Sequence, residues 1–135
     1  MKIYKPTTPS RRNMTGTDFS SLTDKEPEKR LLKTLLRRAG RAASGRITVR
    51  HKGGGVKKLY RIINFGQKNI DMSAKVIALE YDPYRSAFIA LIQYQNGEKN
   101  YIIAPQGLKV GDEVVCAEAA PIVCGNRLKL KNIPV

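Results

Sequence analysis

The sequence predicts an all-β fold: a small closed barrel preceded by a long basic extension with at most one short helix. Two observations carry this reading. Five or six apolar segments of strand length succeed one another after residue 57, separated by turn signals, and no helix-period segment of comparable strength competes with them. Charge divides the chain at about the same place. Residues 1–70 hold 18 Lys+Arg and 4 Asp+Glu, whereas residues 71–135 hold seven of each, so the whole net +14 lies in the first half. The expected division is a basic extension over 1–57 and a barrel over 58–135. An SH3-like barrel is the nearest competing topology.

Composition narrows the function classes. A 41% hydrophobic content supports a modest core and is too high for a wholly disordered chain. No stretch approaches the ~20 apolar residues of a membrane-spanning helix. Two cysteines do not make a disulfide-dense scaffold, and a single histidine leaves little for a metal cage. No metal, cofactor or membrane partner is expected. Between Lys29 and Ile70 there are 13 basic residues and no acidic one, a run that repels itself unless a polyanion neutralises it.

Taken in chain order, residues 1–10 lack the apolar core of a secretory signal, and Pro6 and Pro9 interrupt any amphipathic transit helix. Residues 5–12, with Arg11 and Arg12, are expected to be extended. Residues 23–40 form the one helix candidate. Thr23 and Glu26 have capping-box spacing, Leu31, Leu32, Leu35 and Leu36 share a face, Lys29, Lys33, Arg37 and Arg38 cover much of the other, and Gly40 is a suitable stop. Such a helix would be marginal alone. Its leucines could meet an anionic membrane, a neighbour or the barrel itself.

From Gly40 the chain turns to Gly, Ala, Ser and Arg, which suits an adaptable segment. Ile47 and Val49 alternate with Arg46, Thr48 and Arg50, a strand pattern that would present cations along one side. His51, Lys52 and the run Gly53, Gly54, Gly55 follow, then Lys57 and Lys58. Three glycines let another backbone approach closely and expose N–H groups to phosphate oxygens. The run is not a nucleotide-binding P-loop, because Lys57 is followed by Lys58 rather than Ser or Thr, and it does not fit the dinucleotide pattern either. Six basic positions, counting a protonated His51, within residues 46–58 favour polyanion contact. Arg41 and Arg61 flank this stretch and join the candidate contacts.

In the body, residues 59–65, 75–81 and 88–94 read as strands. Asn96-Gly97, between 88–95 and a further strand over 98–104, signals a hairpin with a type I′ turn, and Asp82-Pro83 a second turn. Residues 113–116 and 127–131 read as two more strands. Residues 76–79 and 88–92 are apolar on both faces, which calls for a cover over the outer face: RNA, another protein or a further domain. Catalysis finds no footing here. His51 has no positioned nucleophile or orienting carboxylate, and no elbow motif surrounds a serine. Cys116 and Cys124 lack metal-ligand spacing and are expected as buried strand cysteines, a disulfide between them remaining open. Glu80 and Asp82 are expected to pair with a neighbouring arginine such as Arg85.

Five strings now stand in order: KPTTPSRR at 5–12, GRITVRHKGGG at 45–55, LEYDPYRSA at 79–87, YIIAPQGL at 101–108 and GNRLKLKNIPV at 125–135. Together they resemble the amino-terminal half of the large-subunit ribosomal protein L-two family, in its bacterial or organellar form, from about residue 4 onward. The resemblance implies an OB-fold body, a role on the ribosome in bacterial cytoplasm, mitochondrion or plastid, and a part in RNA folding, subunit association and support of the peptidyl-transferase region. It implies RNA contact by Arg85, the arginine after Asp-Pro-x, and by Arg46, Arg50, His51, Lys52 and Gly53–Gly55. Its implied partners are large-subunit ribosomal RNA and neighbouring ribosomal proteins. The family's carboxyl-terminal SH3-like barrel has no counterpart here, so a fragment, or one half of a split protein partnered by a separate chain, is expected. The sequence departs from the family at Ala42-Ala43-Ser44, where two amide side chains are usual, at Val56 in place of histidine, and at Gly66-Gln67 in place of a basic run. The alternative function is a free-standing single-strand-binding module that stacks bases on Tyr60, Tyr81, Tyr84, Phe88, Tyr94 and Tyr101.

Overall fold

The computed structural model describes residues 1–36, 39–66 and 69–133. Among these described residues the strands are β1 (Lys2–Ile3), β2 (Thr15–Gly16), β3 (Leu32–Thr34), β4 (Leu59–Arg61), β5 (Ser73–Glu80), β6 (Ile89–Tyr94), β7 (Lys99–Ile103) and β8 (Glu113–Val115). The fold is all-β and barrel-like, with antiparallel sheets and only single turns of 3₁₀ helix among the described residues. β6 explains the core. Its sequence, IALIQY, offers one polar residue, Gln93, so both faces must be buried and the strand belongs in the middle of a sheet. The sheet order is β7-β6-β5-β8.

β5 serves two faces through a bulge. Val76 pairs with Ile92 but Ala78 pairs with Leu91, which leaves Ile77 unopposed. One extra residue exchanges the two faces of the strand beyond it. Ala74, Val76 and Leu79 therefore share a core with Ala90, Ile92, Tyr94, Ile102, Leu108 and Val114. Ala78 joins Ile89, Leu91, Tyr101 and Ile63 on the opposite side. That second core is roofed by this chain's own residues: Leu31 packs on it, Ile63 bridges to Tyr101, and β3 pairs with β4 in the register Leu32 to Arg61. The doubly apolar strands thus receive their cover internally. They are not an open face awaiting RNA, another protein or a second barrel.

Several local expectations are corrected. The described residues of 23–40 do not form the expected helix: a 3₁₀ turn at Lys29–Leu31 leads straight into β3. A helix this short gains little by itself, whereas β4 offers a hydrogen-bonding edge and the core offers a seat for Leu31. Leu36 is left 97% exposed, and Arg37 and Arg38 lie outside the described residues. Residues 45–50 make only an isolated bridge, Arg41 to Ile47, in place of a strand. Residues 5–12 are not simply extended, because the chain turns over 9–13 to bring β1 back beside β2.

The hairpin at Asn96-Gly97 forms, but not with a type I′ turn. Gly97 has φ +83° while Asn96 is not left-handed, and the Gly97 N–H donates to Tyr94 O as the Tyr94 N–H donates to Glu98 O. This is a type I turn closed by a left-handed glycine bulge. The Asn96 side chain contributes by accepting the Glu98 N–H at 2.9 Å. The expected strand over 127–131 reduces to a bridge between Cys116 and Arg127, followed by a 3₁₀ turn at Leu130–Asn132, with Leu130 88% exposed. Asn126 Oδ1 takes the Val115 N–H that a strand partner would have used. Cys124 is exposed, not buried, Cys116 is half-buried, and both are free thiols. Of the sequence features flagged earlier, Gln67, Pro134 and Val135 lie outside the described residues.

Candidate nucleic-acid interface

The β5–β6 turn builds the most ordered part of the site. Asp82 follows β5 and is fully buried, and its Oδ1 accepts the Tyr84 N–H at 2.9 Å, an Asx turn that fixes the next three residues. Its other oxygen pairs with the Arg85 guanidinium. Arg85 also donates to Tyr60 Oη at 2.8 Å and lies over the Tyr60 ring at 5.0 Å and the Phe65 ring at 5.8 Å. Tyr84 stands edge-on to Tyr60 at 5.6 Å, and its hydroxyl donates to Lys58 O at 3.4 Å. Lys58 Nζ reaches Pro83 O at 3.5 Å. The expected Asp82–Arg85 pair is therefore present, and the turn brings Arg85 to Lys58 although 27 residues separate them in sequence.

Arg61, another candidate, faces the other way. Its Nη1 donates to Leu59 O at 2.7 Å, its Nε is buried without a partner, and its charge acts on Glu80. Glu80 is buried on β5 and accepts from Tyr101 Oη at 2.8 Å. Burial pushes its carboxyl above the ordinary value of 4.5, against the opposing pull of the Tyr101 hydrogen bond and the Arg61 and Lys25 charges, with Glu28 adding a small push upward. Burial also raises the Tyr101 phenol far above its usual range.

A carboxyl whose folded-state pKa is raised favours folding when protonated, and that advantage is lost as pH rises through the raised value. Glu80→Gln keeps an oxygen for the Tyr101 hydroxyl and removes the charge. The variant is expected to match the wild type in acid and to become the more stable of the two as pH rises above 4.5 toward neutrality. Thermal melts of both proteins from pH 4 to 7 check this, and a difference that shrinks with rising pH would contradict it.

The basic loop is held by its own backbone. Gly40 O accepts the N–H groups of Thr48 (2.8 Å) and Val49 (3.1 Å) and the Thr48 hydroxyl (3.0 Å), while Arg41 Nη1 donates to Gly45 O at 2.9 Å. Gly40 is required: with φ +67°, a Cβ there would lie 2.5 Å from Val49 O. His51 leaves the loop in a left-handed conformation, φ +58°. Arg46, Arg50, His51, Lys52, Gly53, Gly54, Gly55 and Lys57 are all exposed. A Cβ at Gly53 would meet nothing within 4 Å, and one at Gly54 would meet only Ala39 at 3.8 Å. The chain itself has no need of glycine at those two positions. Arg11 and Arg12 sit apart, on the exposed turn between β1 and β2, with Arg11 5.9 Å from the centre of the Tyr4 ring.

The geometry also sorts the aromatic residues. Tyr94 and Tyr101 are core residues, so their faces are closed to a base. Tyr60 and Phe65, which hold Arg85, escape sequence reasoning as partners because the turn and β4 are far apart in the chain.

A family described as "Ribosomal Proteins L2, RNA binding N-terminal domain" matches residues 28–116, about two thirds of the chain. The matched span runs from the root of the basic stretch through the Asp82–Arg85 turn to the end of the four-stranded sheet. The chain belongs to this family. As a Ribosomal Protein L2 amino-terminal domain it is an RNA-binding component of the large ribosomal subunit, within a structural, non-enzymatic family, and it resides on the ribosome.

Proposed function

We propose that this L2-type chain holds large-subunit ribosomal RNA mainly through phosphates, using Arg41, Arg46, Arg50, His51, Lys52 and Gly53–Gly55 of the basic loop together with Lys57, Lys58 and Arg85 at one end of the barrel. Arg11, Arg12 and Arg61 extend the contact. The observation that carries this reading is the exposed run 46–57, which holds Arg46, Arg50, His51, Lys52 and Lys57 with no acidic residue and has glycines at 53 and 54 for which the chain supplies no internal reason. Glycine there suits a backbone that an RNA phosphate approaches closely. Residues 1–57 supply most of the contact, and 58–135 frame it and add Lys58, Arg61 and Arg85 from one face of the barrel. The work done by that contact is to support RNA folding, subunit association and the peptidyl-transferase region.

Each neutralised phosphate releases counterions, so log affinity is expected to fall with log salt by about 0.7–0.9 per contact. A binding titration of the chain with a large-subunit ribosomal RNA fragment at several salt concentrations measures that slope. A flat response would remove the phosphate mechanism. Equal affinity for random single strands would favour the single-strand module instead, a reading already weakened by the burial of Tyr94 and Tyr101.

A further inference from the structure

We infer that Tyr101 is a positioning residue for RNA binding: its hydroxyl, with the reciprocal Thr23–Leu79 hydrogen bonds, latches residues 23–34 to the barrel and sets where the basic chain departs before any RNA is present. The inference rests on the reading that the basic stretch beyond Thr34 is what holds RNA.

The tyrosine ring is fully buried in the second core, and only its hydroxyl reaches the roof. That hydroxyl donates to Glu80 Oε2 at 2.8 Å and accepts the Glu28 N–H at 2.9 Å. The Glu28 N–H can only donate, so the phenol oxygen accepts there and its proton is directed to Glu80. Residue 28 is thereby fixed to β7 and β5 through one oxygen atom. Thr23 makes a reciprocal pair with Leu79: its N–H donates to Leu79 O at 2.9 Å, and its Oγ1 accepts the Leu79 N–H at 3.2 Å. Farther along, Glu28 pairs with Lys99 at 3.1 Å and Leu31 O accepts the Ile62 N–H at 2.9 Å. These ties reach β4, β5 and β7, so a segment with little regular structure of its own is held at both ends.

A root ordered beforehand does not have to be ordered when RNA binds, which spares part of the entropic cost of association. Tyr101→Phe keeps the ring in the core and deletes only the latch oxygen. In the full chain without RNA, the Glu28 amide is expected to exchange with solvent about tenfold faster, the factor corresponding to one ordinary hydrogen bond. The Val76 and Tyr94 amides, bonded to Asp112 O and Glu98 O within the barrel, serve as controls and should not change. Affinity for the large-subunit ribosomal RNA fragment should fall severalfold with the salt slope unchanged, because no phosphate contact is lost.

Thr23→Val gives an independent test should the phenylalanine variant fold poorly, since it leaves the core intact and should speed exchange at Leu79. The latch is refuted if Glu28 and Leu79 keep their protection, or if they lose it together with Val76 and Tyr94. Faster exchange at unchanged affinity would refute the positioning role. A wild-type chain that does not bind the fragment would overturn that role along with the RNA reading, while the exchange data would still decide whether the latch exists.

Discussion

Asp82→Ala is expected to lower stability by about 2–4 kcal/mol and to weaken RNA binding, although an acidic residue is the wrong charge for RNA. The carboxylate is fully buried, and it holds both the Arg85 guanidinium and the Tyr84 N–H. Removing one member of a buried ion pair costs about 3–5 kcal/mol because the other charge is stranded. Arg85 is 17% exposed and keeps Tyr60, so the loss should fall at or below the lower part of that range. Urea unfolding of Asp82→Ala, Arg85→Ala and the double variant measures the coupling between the two side chains. A coupling of about 1–3 kcal/mol is expected for residues in direct contact, and additivity would contradict this account. The RNA effect has the same origin: without Asp82, the turn that presents Arg85 beside Lys58 loses the two ties its carboxylate makes, to the Tyr84 N–H and to the Arg85 guanidinium.

That arrangement shows what local sequence can and cannot carry. Asp82 and Arg85 are three residues apart, within reach of a side-chain pair in a single turn, so their contact is legible. Tyr60 comes to Arg85 only because β4 passes the end of β5, and nothing in residues 58–62 announces it. Strands β5, β6 and β7 are legible for a stronger reason: long apolar runs bounded by turns leave few other ways to bury them. The pairing of β3 with β4 is the opposite case. Leu31, Leu32, Leu35 and Leu36 satisfy a helical spacing as well as they satisfy anything local, and the deciding interactions are an unpaired edge at β4 and an apolar hollow over Tyr101. Both are supplied by residues about 30 to 70 positions away. The turn at Asn96-Gly97 lies between these extremes. Its dipeptide marks the hairpin, but the turn type depends on whether Gln95 belongs to the loop or the strand, which cross-strand pairing settles.

The charge of the basic loop leads to the second large effect. Replacing Arg46, Arg50, Lys52, Lys57 and Lys58 together with glutamine is expected to make the salt dependence of RNA binding shallower by about 4 units, if each contacts one phosphate. Between 50 and 200 mM salt, the wild type should then lose about two orders of magnitude more affinity than the variant. Stability should hardly move, because exposed side chains of this kind usually change it by no more than about 0.5 kcal/mol. The four of these residues other than Lys58 make no side-chain hydrogen bond or ion pair among the described residues, and Lys58 makes only a long one to Pro83 O. The expected pattern is therefore the reverse of that for Asp82→Ala, where stability falls and the slope loses at most the share of Arg85. Salt titrations and urea melts on both proteins separate the two roles. If the loop variant kept the wild-type slope, its cations would not be meeting phosphates. The excess charge of the first half would then need a partner other than RNA.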